Sequence, residues 1–149
     1  MAEVLFYHLT QSRLEDALPG LVQRSLERGW RVGIQFMTTE CRDFIDNALW
    51  TWSDDSFTAH GSEEDKWPEE QPVFLTLTTQ NPNNADVRFC VEGAFCEDPT
   101  LYQRIVIMFD GLDSEQVSLA RAQWKTYKKA GHTMTYWQQT DDKKWERKA

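Results

Sequence analysis

Apolar positions along this chain fall into two alternating patterns, short largely apolar runs and stripes spaced by three or four residues. The runs occupy residues 4–9 (VLFYHL), 31–36, 73–77 (VFLTL), 87–91 (VRFCV) and 105–109 (IVIMF). Runs of this length bounded by turn residues predict strands, and the one unbroken run, 105–109, predicts a strand buried on both faces of a parallel sheet. The stripes predict helices. Leu14, Leu18, Leu21, Val22 and Leu26 form the first, with Ser12 as cap, Glu15 three residues on and Gly29 as stop. Pro19 is expected to kink or divide it near its first turn. Cys41, Phe44, Ile45, Ala48 and Leu49 form a second helix over residues 39–50, capped by Thr39. Val117, Ala120, Trp124 and Tyr127 stripe a third over residues 114–130. Asp113 caps it with Gln116 in a capping-box-like pair, Gly131 ends it, and a last strand reaches Gln139.

Strands alternating with amphipathic helices predict an α/β fold: a single Rossmann-like, doubly wound, mostly parallel sheet with helices on both faces. The expected domain spans residues 1–139, and residues 140–149 form a charged tail expected to fray. Residues 53–71 are acidic, rich in turn formers and aperiodic, which predicts one long functional loop with a short strand at 56–59.

Composition narrows the classes. With 40% hydrophobic and 27% charged residues the chain is globular rather than disordered. It has no apolar segment near the length of a membrane span, and its first residues, MAEVLFYHL, lack a basic region before a long apolar core, so a cytoplasmic location is expected. Cys41, Cys90 and Cys96 show no paired spacing, which argues against disulfides and thiol metal sites. A net charge of -8 argues against wholesale binding of duplex DNA. Seven tryptophans exceed the needs of one core and place some of them at an interface.

The third helix stands apart. Arg121, Lys125, Lys128 and Lys129 share a face beside its apolar stripe, with no acid after Glu115. They either answer the helix dipole on a solvated surface or form an anion-binding strip for a carboxylate-rich peptide or a phosphate backbone. The first strand is not followed by GxGxxG or GxxxxGK[ST], so no nucleotide or other cofactor is expected. His8, His60 and His132 are scattered, with no HExxH, and no metal site is expected. Asp110, at the end of a buried strand, and His60 are the candidates for a small α/β enzyme, although a turn role suits Asp110 better. A third alternative is direct binding of single-stranded nucleic acid through Arg121, Lys125 and the tryptophans. With no nucleophile, base and orienter assembled, the chain reads as a binding module.

The succession VLFYHL, RVGIQF, DNALW, SFTAHG, PVFLTL and ARAQWKTYKKAG resembles the chi subunit family of bacterial DNA polymerase III. Its most specific parts are Leu49-Trp50 followed by Phe57 and His60, and Ala120-Arg121 followed by an aromatic, Lys125, Tyr127 and Gly131. The resemblance implies a non-catalytic accessory subunit of the clamp-loader assembly that bridges two partners. One is the psi subunit, which it binds as a heterodimer, at a surface expected around Phe57 and His60. The other is the acidic C-terminal tail of single-stranded DNA-binding protein, at Trp50, Val117, Arg121, Trp124, Lys125 and Lys128. DNA is then met only indirectly, and no membrane is involved. Val117 stands where the family carries a cation one turn before the arginine, and Ala59 replaces the proline usual before the histidine.

Overall fold

In the computed structural model the described residues are 3–51, 61–62, 72–78, 81, 83–96, 98–142 and 144–148. The strands are β1 (Glu3–Leu9), β2 (Val32–Gln35), β3 (Gly61–Ser62), β4 (Val73–Thr76), β5 (Val87–Cys90), β6 (Arg104–Asp110), β7 (Thr133–Gln139) and β8 (Trp145–Arg147). The helices are α1 (Leu14–Glu27), α2 (Thr39–Thr51) and α3 (Ser114–Lys129). Among the described residues the strands form one eight-stranded sheet in the order β3-β4-β2-β5-β6-β1-β7-β8. All pairings are parallel except the last, β7 with β8. Among the described residues no helix is long and apolar enough to cross a membrane.

The continuous apolar runs explain how both faces are covered. Along β6, Val106 and Met108 point into the layer that holds Leu18 and Val22 of α1 and Ile45 and Leu49 of α2. Ile105, Ile107 and Phe109 point the other way, into the layer that holds Ala120 and Tyr127 of α3. The two-residue period of a strand puts alternate side chains on opposite faces, so β6 is apolar at every position from Ile105 to Phe109. Two helices therefore lie on one face and α3 on the other.

Several local expectations are corrected. Ser12 does not cap α1, which starts at Leu14 with no side-chain cap bond at Arg13. Ser12 is drawn instead to β7, where its backbone N-H donates to Gln139 Oε1 at 2.9 Å and its Oγ accepts from Gln139 Nε2. Gln139 Oε1 also accepts from the backbone of Thr10 and Gln11, so one buried amide organises the turn that leaves β1. Pro19 does not divide α1; the helix runs through it with Pro19 buried beside Leu18 and Val22. Burying that face outweighs the loss of one helix bond. Thr38, not Thr39, caps α2, accepting from Cys41 N at 3.2 Å while Glu92 accepts from the backbone of Met37 and Thr38. Phe44, expected on the buried stripe, is 56% exposed. The strand expected at 56–59 lies outside the described residues. The tail expected to fray carries β8, where Trp145 meets Tyr7 edge-on at 4.9 Å between ring centres.

A buried arginine escapes a reading of apolar runs. Arg88 points from β5 into the α3 layer at 1% exposure. Its Nε and one terminal nitrogen donate to Gln35 Oε1 at 3.2 and 2.9 Å, the other terminal nitrogen to Tyr102 Oη at 3.2 Å, and a further bond reaches Thr78 O. It ties β5 to β2 and to the loops beyond β4 and before β6.

Candidate functional site

Helix α3 carries its site on the flank of its buried stripe. Asp113 Oδ1 accepts from the backbone of Glu115 and Gln116, as the sequence predicts for a cap. Gln116 pairs with Asp113 through side chains, its Nε2 donating to Asp113 Oδ2 at 3.4 Å, while its Oε1 accepts from Asp110 N at 3.0 Å rather than from the cap backbone and so fastens the end of β6 to the helix start. Gly131 ends the helix at φ +87. Ala120 and Tyr127 are buried, and Tyr127 Oη donates to Cys96 O at 2.7 Å. Val117 and Trp124 are half-buried, and they frame one side of a groove.

That groove encloses about 400 Å³. Val117, Ala120, Arg121, Trp124 and Lys125 form its helix wall, and His8, Phe109 and Tyr136 form its floor from β1, β6 and β7. The floor is held by aromatic contacts. Trp124 packs edge-on against Phe6 at 5.3 Å and against Tyr136 at 5.9 Å. His8 stacks on Phe109 at 4.8 Å, and its Nδ1 shares a 2.7 Å hydrogen bond with Tyr136 Oη. An aromatic, half-buried trough with fixed ring angles is a preformed seat for an apolar side chain.

The cations stand along its rim. Arg121, Lys125, Lys128 and Lys129 are exposed, and among the described residues none forms an ion pair. Arg121 faces the floor closely enough to act on it electrically. Burial lowers the His8 pKa below its ordinary 6.5, and Arg121 lowers it further while Asp110 opposes both. Burial raises the Tyr136 hydroxyl, with Arg121 pulling the other way. At neutral pH the floor therefore carries no charge of its own, and the positive potential comes from Arg121 and Lys125.

Of the residues expected at the tail site, Val117, Arg121, Trp124 and Lys125 meet in this groove. Lys128 lies one turn beyond Lys125 on the same helix, outside the lining. Trp50 belongs to the end of α2, whose buried Ile45 and Leu49 pack on the opposite face of the sheet. The Trp50 side chain, and both Phe57 and His60, lie outside the described residues. His8, Phe109 and Tyr136 enter the site without a local signal in the sequence. Strand alternation aligns His8 with Val4 and Phe6, but only the placing of β1 between β6 and β7 brings the three rings together.

A larger cleft of about 520 Å³ opens at the carboxyl ends of β1 and β6, between Ser12, Glu15, Phe44, Glu92 and Asp110. Its carboxylates are engaged in structure. Glu92 secures the start of α2, and Asp110 Oδ1 accepts from Leu112 N at 2.9 Å, a turn role. The Cys41 thiol is pushed up to about 12, first by burial and then by Glu92, which leaves it protonated and unreactive. Among the described residues no three His, Cys, Asp or Glu side chains gather as metal ligands.

Two predictions arise here. Gly111 turns the chain out of β6 beneath His8, and a Cβ there would lie 2.2 Å from His8 Nε2 and 2.8 Å from Leu9 O. Gly111→Ala is expected to displace His8 and cost about 1 to 3 kcal/mol, read by thermal denaturation. The second concerns pH. Because the folded pKa of His8 lies below the unfolded value, the unfolded chain takes the proton first, and stability falls as pH drops through 6.5. Urea denaturation between pH 7.5 and 5.5 is expected to show a shallower loss in His8→Gln than in the unsubstituted chain.

The sheet and the groove define a mixed α/β protein with an aromatic trough rimmed by exposed cations. Residues 1–135 match the family described as DNA polymerase III chi subunit, HolC. The chain belongs to that family and is thus an accessory subunit of the replicative polymerase, at work within a polymerase complex. It is also similar to a protein of Rickettsia prowazekii (strain Madrid E) named "Probable DNA polymerase III subunit chi". The two are 26% identical over 121 residues, which cover 76% of this chain and 73% of the relative.

Proposed function

We propose that the α3 groove receives the acidic C-terminal tail of single-stranded DNA-binding protein, and that the chain bridges this tail to the psi subunit and through it to the clamp loader. The scaffold is read as Rossmann-like without a nucleotide site, and the subunit as non-catalytic. One observation carries the reading: Arg121 and Lys125, without an ion pair among the described residues, stand over an aromatic trough in a chain of net charge -8. A tail ending in acids, an apolar residue and a free carboxylate needs that combination. Its last side chain fits between Val117, Trp124 and Tyr136, Arg121 grips a carboxylate with two parallel bonds, and Lys125 attracts the preceding acids.

Lys128 extends the positive strip beyond the groove, in place of the cation that Val117 lacks. Trp50 is left out of the proposed contact, because α2 packs its Ile45 and Leu49 on the other face of the sheet. The psi contact is assigned to the segment around Phe57 and His60. Exposed charge pairs over a small apolar seat give modest affinity, roughly micromolar, that weakens as salt screens them. Such a contact releases readily during primer handoff.

Fluorescence anisotropy of a labelled peptide carrying the last ten or so residues of the binding protein tests the proposal. Saturable binding that weakens with salt, and is lost when the terminal apolar residue is removed, supports it. Binding indifferent to both changes contradicts it.

A further inference from the structure

Positive charge gathers a second time in this acidic chain, on the opposite face of the sheet. A cavity of about 230 Å³ opens beside α1, where Arg24, Arg28 and Arg104 surround Tyr7 above a floor that includes Phe89 and Val106. Among the described residues no carboxylate lines it. Arg24 and Arg28 come from the last turn and the C-cap of α1, where they also complement the helix dipole. That role does not explain why Arg104, the first residue of β6, and Tyr7 of β1 converge on the same space.

Two of the three guanidiniums are held in place. The Arg104 Nε lies 2.8 Å from Glu3 Oε1, which anchors it from outside the cavity. The guanidinium carbons of Arg28 and Arg104 lie 4.2 and 5.1 Å from the Trp30 ring centre, so one indole organises two cations. Among the described residues Arg24 has no ion pair, and Arg28 has none beyond this ring contact. Burial raises the Tyr7 hydroxyl, against the pull of Arg104 and Arg24, and keeps it a donor at neutral pH.

Three planar guanidiniums and a hydroxyl around one space match a tetrahedral oxyanion, which accepts paired N-H bonds from more than one side. The size limits what carries that anion. At about 230 Å³ the cavity falls below the roughly 300 to 1,000 Å³ of a drug-sized ligand site, so it fits one anionic group and a few attached atoms rather than a whole nucleotide.

We propose that Arg24, Arg28 and Arg104, with the Tyr7 hydroxyl, form a binding site for a phosphate group on a small ligand, either inorganic phosphate or a compact phosphomonoester. The site is independent of the α3 groove and lies on the other face of the sheet.

Calorimetric titration and thermal denaturation of the full chain test this at constant ionic strength, with inorganic phosphate in one arm and glycerol phosphate in the other. Saturable binding and a rise in melting temperature are expected in at least one arm. The tighter arm identifies which form the site takes. Arg24→Gln combined with Arg28→Gln removes two exposed cations that the core does not need, and is expected to weaken binding about tenfold or more. Arg13→Gln, a remote loss of charge, is expected to leave binding unchanged. Absence of saturable binding in both arms overturns the proposal. So does equal binding by the Arg24/Arg28 variant, or a loss in Arg13→Gln as large as in that variant.

Discussion

Arg88→Ala is expected to lower unfolding free energy by about 3 to 5 kcal/mol, the largest effect of any single substitution considered. The guanidinium is fully buried and donates to Gln35, Tyr102 and Thr78. Truncation leaves those acceptors without their donor in the dry layer under the loops and opens a cavity besides. Against a typical domain stability of roughly 5 to 15 kcal/mol, much of the margin would go. Urea denaturation followed by circular dichroism reads the loss. Arg88→Met fills part of the space without restoring the donors and is expected to fall between the two. A cost under about 1 kcal/mol for Arg88→Ala would show that the bonds contribute little.

The second large effect falls on binding rather than folding. Arg121→Glu is expected to weaken tail binding by about 2 to 4 kcal/mol while leaving the melting temperature within a degree or two. The side chain is exposed and supports no ion pair among the described residues, so the fold does not depend on it. The reversed charge would repel the acids that Arg121 is proposed to grip. The milder Arg121→Ala is expected to cost about 1 to 3 kcal/mol in the same titration.

The contrast between these two arginines shows what a sequence makes legible. Arg121 belongs to a local pattern, a cationic face beside an apolar stripe on one helix, and five of the groove's residues follow from that spacing. Asp113 and Gly131 likewise act on neighbours in the chain, so the ends of α3 could be read directly. Arg88 acts on Gln35, 53 residues away, and nothing in VRFCV announces it. Ser12 fails as a cap for the same reason: its partner Gln139 lies 127 residues on, and that bond wins. Thr38 and Thr39 are neighbours with the same chemistry, and the choice between them is made by Glu92, 54 residues from Thr38. The groove floor depends on strand order, which periodicity does not encode. Trp50 could be grouped with Arg121 only by resemblance, since nothing in the spacing reveals that α2 and α3 lie on opposite faces.

That grouping also yields the most direct test of the central claim, that the tail is bound in the α3 groove. Two-dimensional NMR of the isotope-labelled chain, titrated with the tail peptide, reports methyl groups and indole N-H groups at once. The account predicts that shifts concentrate at the Val117 and Ala120 methyls, the Trp124 indole and the rings of His8 and Tyr136, with the Trp50 indole unmoved. Shifts centred on Trp50 and the end of α2, with the α3 groove silent, would contradict it.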